Sequence, residues 1–233
     1  MTKQELFDLI KGTIVVSCQA TPGEPLYMKD QSIMYLMARA AKQAGAKMIR
    51  TSSVRDIVEI KEETGLPVIG LIKREYPGYT GRITMTMREV DECMEAMADI
   101  VSIDCTFNER ADGLTPGEFL KQVKAKYPNI IIMADCATIE DIRNAFALGV
   151  DICSTTLSHP GAAIDCGMAD GPTTELIRQA VAEFPGKPII CEGRVHVPED
   201  AKKAMDAGAW AVVVGTGITH PTSITSWFVE AIS

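Results

Sequence analysis

Two charged residues stand where charge is costly. Lys73 ends the run Gly70-Leu71-Ile72, and Glu192 ends the run Ile189-Ile190-Cys191. An ammonium whose stem lies among apolar side chains loses hydration. That lowers its pKa and makes it a usable base, or an amine able to form a Schiff base. A carboxylate in a similar place, followed at once by Gly193, offers an acid beside a backbone that can approach a ligand closely. One such acid facing one such base suits proton transfer on opposite faces of a substrate carbon. The plainer readings are a lysine snorkelling to a nearby aspartate and a glutamate locked to Arg194 or Lys73.

A third segment, Val214-Gly215-Thr216-Gly217-Ile218-Thr219-His220-Pro221, has the form of a phosphate cradle. Its amides can point at an anion, and a helix starting at the proline adds its dipole. Gly215, Thr216, Gly217 and His220, with Gly193 and Arg194, are the phosphate-binding candidates. Gln19, Arg50, Asp104, Asp135 and Thr155 also follow apolar runs. Arg50 could bind an oxyanion or orient a hydroxyl, and Asp135 could take hydroxyl protons; either could equally be half of a structural ion pair. No metal site is expected, because His159, His196 and His220 form no i,i+4 pair and no two cysteines are tightly spaced. Cys136 and Cys191 flank candidate residues, but without a paired histidine they read as small core thiols.

Short apolar runs alternate with amphipathic stretches along the whole chain. The runs Thr13–Cys18, Lys47–Arg50, Pro67–Lys73, Ile100–Asp104, Ile130–Asp135, Val150–Ser154, Pro188–Glu192 and Ala211–Gly215 read as buried parallel strands. Between them lie helical patterns such as Ser32–Ala44, Val54–Glu63, Glu118–Lys126, Ile139–Leu148, Thr174–Phe184, Glu199–Ala207 and Ser223–Ile232. Gly45, Gly149 and Gly208 stand where helices end, and Thr115-Pro116, Thr138 and Pro198 where they begin. Eight β–α units without a linker predict one α/β domain over residues 1–233, a (β/α)8 TIM barrel with a parallel eight-stranded closed sheet. Closure would gather the polar strand ends at one mouth. The open alternative lacks a G-x-G-x-x-G turn after its first strand.

Composition narrows the partners. The 233 residues carry a net charge of −8, with 46% hydrophobic and 23% charged residues. No basic run supplies a face for nucleic acid or anionic lipid, whereas a small anion needs only a few local cations and amides. No secretory leader and no membrane span is expected, and seven scattered cysteines suit reduced thiols in the cytoplasm.

Taken together, Val16-Ser17-Cys18-Gln19-Ala20, Gly70-Leu71-Ile72-Lys73-Arg74, Met133-Ala134-Asp135, Ser154-Thr155-Thr156-Leu157-Ser158, Cys191-Glu192-Gly193-Arg194 and Val214-Gly215-x-Gly217-Ile218-Thr219 resemble the N-acetylmannosamine-6-phosphate 2-epimerases of bacterial sialic acid breakdown. The resemblance runs almost the full length. It implies a TIM barrel interconverting N-acetylmannosamine 6-phosphate and N-acetylglucosamine 6-phosphate, with Lys73 and Glu192 catalytic and Gln19, Arg50 and Asp135 touching substrate. It further implies no metal or organic cofactor, and a homodimer. The sequence departs from the family in four places. His220 replaces the usual arginine, Thr51-Ser52-Ser53 replaces a small-residue and glycine pattern, and the 106–113 and 159–172 segments are unusual. A Schiff-base lyase acting through Lys73, or a sugar-phosphate sensor without turnover, would be the alternatives.

Overall fold

The computed structural model describes residues 1–158 and 171–233, so His159, Cys166 and most of the 159–172 segment lie outside the described residues. Eight parallel strands close in sequence order into a barrel: β1 (Ile14–Ser17), β2 (Met48–Ser52), β3 (Val68–Leu71), β4 (Ile100–Asp104), β5 (Ile132–Asp135), β6 (Ile152–Ser154), β7 (Ile189–Glu192) and β8 (Ala211–Val214). Around it run α2 (Met34–Gln43), α3 (Val54–Thr64), α4 (Met87–Glu95), α5 (Pro116–Lys126), α6 (Ile139–Ala147), α7 (Thr174–Glu183), α8 (Pro198–Asp206) and α10 (Pro221–Glu230). Helix α1 (Lys3–Ile10) precedes the barrel and the short α9 (Thr216–Thr219) follows β8.

Helix boundaries follow local chemistry. Thr115 and Thr138 accept hydrogen bonds from the backbone N–H three residues on, and Glu118 and Asp141 return the bond in capping boxes. Pro116 and Pro198 occupy first turns, where no donor is missed. After α6 and α8, Gly149 (φ 77°) and Gly208 (φ 99°) take the left-handed turn that lets Val150 and Ala209 reach back to the carbonyls of Ala145 and Ala204.

Strand alternation sorts the side chains into two cores. Val15, Met48, Ile69, Ile100, Met133, Ile152, Ile190 and Val213 point inward and fill the lower barrel. Leu6, Phe7 and Ile10 of α1 close its floor, and the Trp210 indole N–H donates to the Phe7 carbonyl at 3.0 Å. Outward-facing Val16, Cys18, Ile49, Val101, Ile103, Cys105, Ala134, Cys136, Cys153, Cys191 and Val212 pack against the helices. The six described cysteines are all free and buried, five of them in this outer layer and Cys93 on α4.

Two boundaries differ from the sequence reading. Strand β2 continues to Ser52, which makes Arg50 a mid-strand residue facing the barrel interior instead of a residue at the mouth. Strand β3 stops at Leu71, and Lys73 follows in an antiparallel bridge with Ile83. The Thr51-Ser52-Ser53 departure has a local consequence. Ser53, the N-cap of α3, sits at φ 99° and ψ 146°, a region almost reserved for glycine, while its hydroxyl accepts from the Asp56 N–H at 3.1 Å. A Gly cap costs only a few tenths of a kcal/mol relative to Ser. Ser53→Gly should therefore stabilise the protein by about 1 kcal/mol or more, read as a rise of roughly 2–4 °C in thermal midpoint.

Candidate active site

At the carboxyl ends of the strands a cavity of about 730 Å³ opens, with Gln19, Lys73, Glu192, Gly193, Arg194, Gly215, Thr216 and His220 on its wall. Beneath it lies a polar layer built on Arg50, whose side chain is 1% exposed. Its guanidinium donates to both Asp135 oxygens, at 3.2 and 2.7 Å, and to the Ser102 hydroxyl at 2.8 Å. Asp135 is further filled by the hydroxyls of Ser154 and Thr156, each 2.8 Å from Oδ1. Asp135 is thus fully engaged below the cavity.

Glu192 approaches the same guanidinium, with Oε1 3.1 Å from Arg50 Nε. One cation therefore faces two buried carboxylates, and Asp135 holds its better geometry. Glu192 is the carboxyl left short of compensation. Burial, opposed by Arg50 and reinforced by the negative charge of Asp135, pushes its pKa up to about 7. Its second oxygen, Oε2, is buried without a hydrogen-bond partner.

Lys73 reaches the cavity from the start of the β3–α4 loop. Its N–H donates to the Ser52 hydroxyl at 3.2 Å, and among the described residues its ammonium makes no ion pair. The side chain stays open to cavity water, yet it is ringed by protein. Loss of hydration, followed by repulsion from Arg50, lowers its pKa, with Glu24 and Glu192 opposing. The loop itself is clamped. Arg74 donates to both Glu92 oxygens at 2.9 Å and to Glu89, the Tyr76 hydroxyl donates to Glu89 at 2.7 Å, and Glu89 also accepts from the Thr86 N–H. At the far end Arg110, stacked 3.6 Å over the Phe119 ring, donates to the carbonyls of Asp104 and Met85. The sole basic residue of the 106–113 segment thus faces the scaffold, and Asp104 turns to Thr106 at 2.7 Å.

Other candidates fall in different places. Gln19 lines the wall; its amide N–H donates to the Ser17 hydroxyl at 2.9 Å, and its Oε1 has no partner. Thr155 points outward and exchanges hydrogen bonds with the backbone of Glu192, at 3.0 and 3.1 Å. Thr156 takes the cavity position beside it. Gly217 is a packing glycine: a Cβ there would lie 2.7 Å from the His196 carbonyl oxygen. Gly193 and Arg194 turn left-handed in succession (φ 104° and 52°), which sends the Arg194 guanidinium to the Gly171 carbonyl and the Thr173 hydroxyl, at 3.0 and 2.8 Å. Ser17, Glu24, Arg82, Thr156 and Ser158 line the cavity without having been singled out as candidates in the sequence. Strand parity was the usable signal for two of them, since Ser17 shares it with Gln19 and Thr156 with Ser154. Among the described residues no cluster of three or more His, Cys, Asp or Glu side chains is placed to hold a metal ion, and no helix is long and apolar enough to cross a membrane.

Comparison with known proteins places this arrangement. A family model described as "Putative N-acetylmannosamine-6-phosphate epimerase" matches residues 34–233. This chain belongs to that family. Two of the epimerase family's curated relatives, both named "Putative N-acetylmannosamine-6-phosphate 2-epimerase", are similar over nearly all of their length. One, from Caldanaerobacter subterraneus subsp. tengcongensis, is 49% identical, covering 99% of this chain and 95% of its own. The other, from Enterobacter sp. (strain 638), is 43% identical, covering 97% and 95%. The solved N-acetylmannosamine-6-phosphate 2-epimerase of Clostridium perfringens superposes with a TM-score of 0.86 at 40% identity, over 97% of this chain and 96% of that one. The thiamine phosphate pyrophosphorylase of Pyrococcus furiosus, at 18% identity and TM-score 0.59, shares the barrel fold alone. This member of the epimerase family is therefore an enzyme, and its catalytic apparatus has to be read from the cavity.

The polar layer makes two predictions. Arg50→Met strands Asp135 and Glu192 in the barrel, and denaturant unfolding should register a loss of roughly 3–5 kcal/mol. The raised pKa of Glu192 means its contribution to stability is complete below its unfolded pKa and lost as pH rises through about 7. Glu192→Gln should accordingly raise the thermal midpoint at pH 8, on the order of 5 °C, and leave it nearly unchanged at pH 5. An equal effect at both pH values would contradict an ionisation near neutrality.

Proposed function

We propose that the protein interconverts N-acetylmannosamine 6-phosphate and N-acetylglucosamine 6-phosphate by moving the C2 proton, with Lys73 and Glu192 as the acid–base pair. The observation that carries this reading is a single cavity wall that presents the Lys73 amine and the Glu192 carboxyl together. Their surroundings displace them in opposite directions, the lysine down and the glutamate up to about 7. Such opposed displacements suit a base and an acid working on one substrate carbon.

The substrate chemistry matches. In the opened sugar C2 lies next to the C1 aldehyde, and the carbonyl acidifies its hydrogen. One group removes the proton, the electron pair of the C–H bond forms a C1–C2 double bond, and the carbonyl pair moves onto the C1 oxygen, giving an enolate-like intermediate. The partner delivers a proton to the opposite face of C2, which inverts that centre. Gln19 on the wall is the amide available to a developing oxyanion or a hydroxyl. Arg50, below the floor, acts through Glu192. The phosphate is assigned to the corner formed by Gly193, Arg194, Gly215, Thr216 and His220, whose backbone amides and side-chain donors would receive it. The same reading has the barrel work as a cytoplasmic homodimer without metal or organic cofactor, in the breakdown of sialic acid.

Purified protein with N-acetylmannosamine 6-phosphate in deuterated water should yield the gluco epimer carrying deuterium at C2, followed by proton NMR. Lys73→Ala should reduce both turnover and C2 exchange by about 10²-fold or more. Undiminished exchange in that variant would remove Lys73 from the mechanism. A Schiff-base reaction would instead show itself as borohydride-trapped sugar on Lys73.

A further inference from the structure

The corner assigned to phosphate contains a carboxylate. Glu24, on the loop between β1 and α2, lines the cavity with its Oε1 3.9 Å from His220 Nδ1. The two side chains are only 17% and 20% exposed. Glu24 is not a wandering surface group: its Oε2 accepts from the Thr21 N–H at 2.5 Å, and its backbone N–H donates to the Thr21 carbonyl at 3.0 Å. His220 lies between α9 and α10, with its backbone carbonyl accepting from the Ile224 N–H at 3.1 Å. An anion seated on Gly215 and Thr216 therefore meets this pair.

We propose that His220, paired with Glu24, makes recognition of the substrate's phosphate depend on histidine protonation, so that the enzyme binds its phosphorylated ligand better on the acid side of neutrality. This rests on the phosphate assignment made above. With the imidazole protonated, the pair is neutral and presents an N–H donor to the anion. With the imidazole neutral, the corner keeps the negative charge of Glu24, which repels phosphate. Histidine is the side chain that changes charge between roughly pH 5 and 8. Among the described residues, the other charged or titratable groups on the same wall are Arg194 and His196 after β7, Lys73, Arg74, Glu75 and Arg82 after β3, and Glu192 itself. Arg194 donates to the Gly171 carbonyl and the Thr173 hydroxyl. Arg74 is turned to Glu89 and Glu92. His220 is thus the imidazole that stands beside the Glu24 carboxylate in this corner.

The test compares KM for N-acetylmannosamine 6-phosphate from pH 6 to 8 in the wild type, H220R and E24Q. The second ionisation of the phosphate, near pH 6, is common to all three, so each KM is expressed per dianion before the ratios are taken. The wild-type to H220R ratio of KM should rise about tenfold with pH, the scale of one charge-assisted hydrogen bond. E24Q should lower KM at pH 8. A ratio flat in pH, or an unchanged KM in E24Q, would overturn the proposal. A second measurement needs neither turnover nor a folded H220R. Proton NMR follows the imidazole signal that H220N removes, in inorganic phosphate against chloride at equal ionic strength. Phosphate should raise its titration midpoint, and an unmoved midpoint would again overturn the proposal. Because this probe is independent of catalysis, a shifted midpoint without epimerisation would count against the substrate reading alone.

Discussion

The site hangs on one guanidinium serving two carboxylates. The interior of an eight-stranded barrel has room for few side chains, and water is not available there to screen them. Placing Arg50 at the middle of β2 gives the upper barrel a single positive charge, and β5 and β7 each present a carboxylate to it. The geometry is unequal. Asp135 meets the planar fork with both oxygens and has two hydroxyls to complete its coordination, while Glu192 meets only Nε. Burial comes first in raising Glu192 to about 7, and the unequal geometry leaves that carboxyl with less of the cation's compensation. The same cation also repels Lys73 from below, so one residue that scarcely touches the cavity biases both groups that face it.

Position matters as much as charge. Lys73 begins a loop, and a loop lysine would ordinarily search many rotamers. Here the chain on either side is tied down: Arg74 and Tyr76 converge on Glu89 at the start of α4, and Arg110 grips the carbonyls at the loop's other end. Glu89 is buried and serves at once as helix cap and loop anchor. The amine is thereby delivered by a segment that is irregular in form but fixed in place.

The eight-strand repeat, the helix caps and the two groups of greatest chemical interest were legible in the sequence, because each is written in local pattern. Apolar runs mark buried strands, Thr and Pro mark helix starts, and a charge ending an apolar run marks a site. What escaped was whatever depends on closure. That Arg50 lies within β2 required its register against Ile69 of β3 and its reach across the barrel to β5. That Thr156 and not Thr155 faces the cavity required strand parity to be carried one residue past the end of β6. Glu24 sits in a loop of no marked pattern and could be found only by its neighbours in space. The strained Ser53 shows the reverse case: the departure was visible in the sequence, but only its dihedral angles say what it does.

The outward-facing thiols carry a last consequence. Burial pushes Cys18 and Cys191 up to about 12, and raises Cys105 and Cys136 well above the ordinary thiol range. In the closed barrel these sulfurs neither ionise nor meet reagent, so alkylation must wait until a helix lifts from its strand. Cys18, Cys105 and Cys136 follow the last residues of β1, β4 and β5, and Cys191 lies within β7, a distribution that turns them into native clocks. Each one's modification rate would record how often its own stave of the barrel breathes.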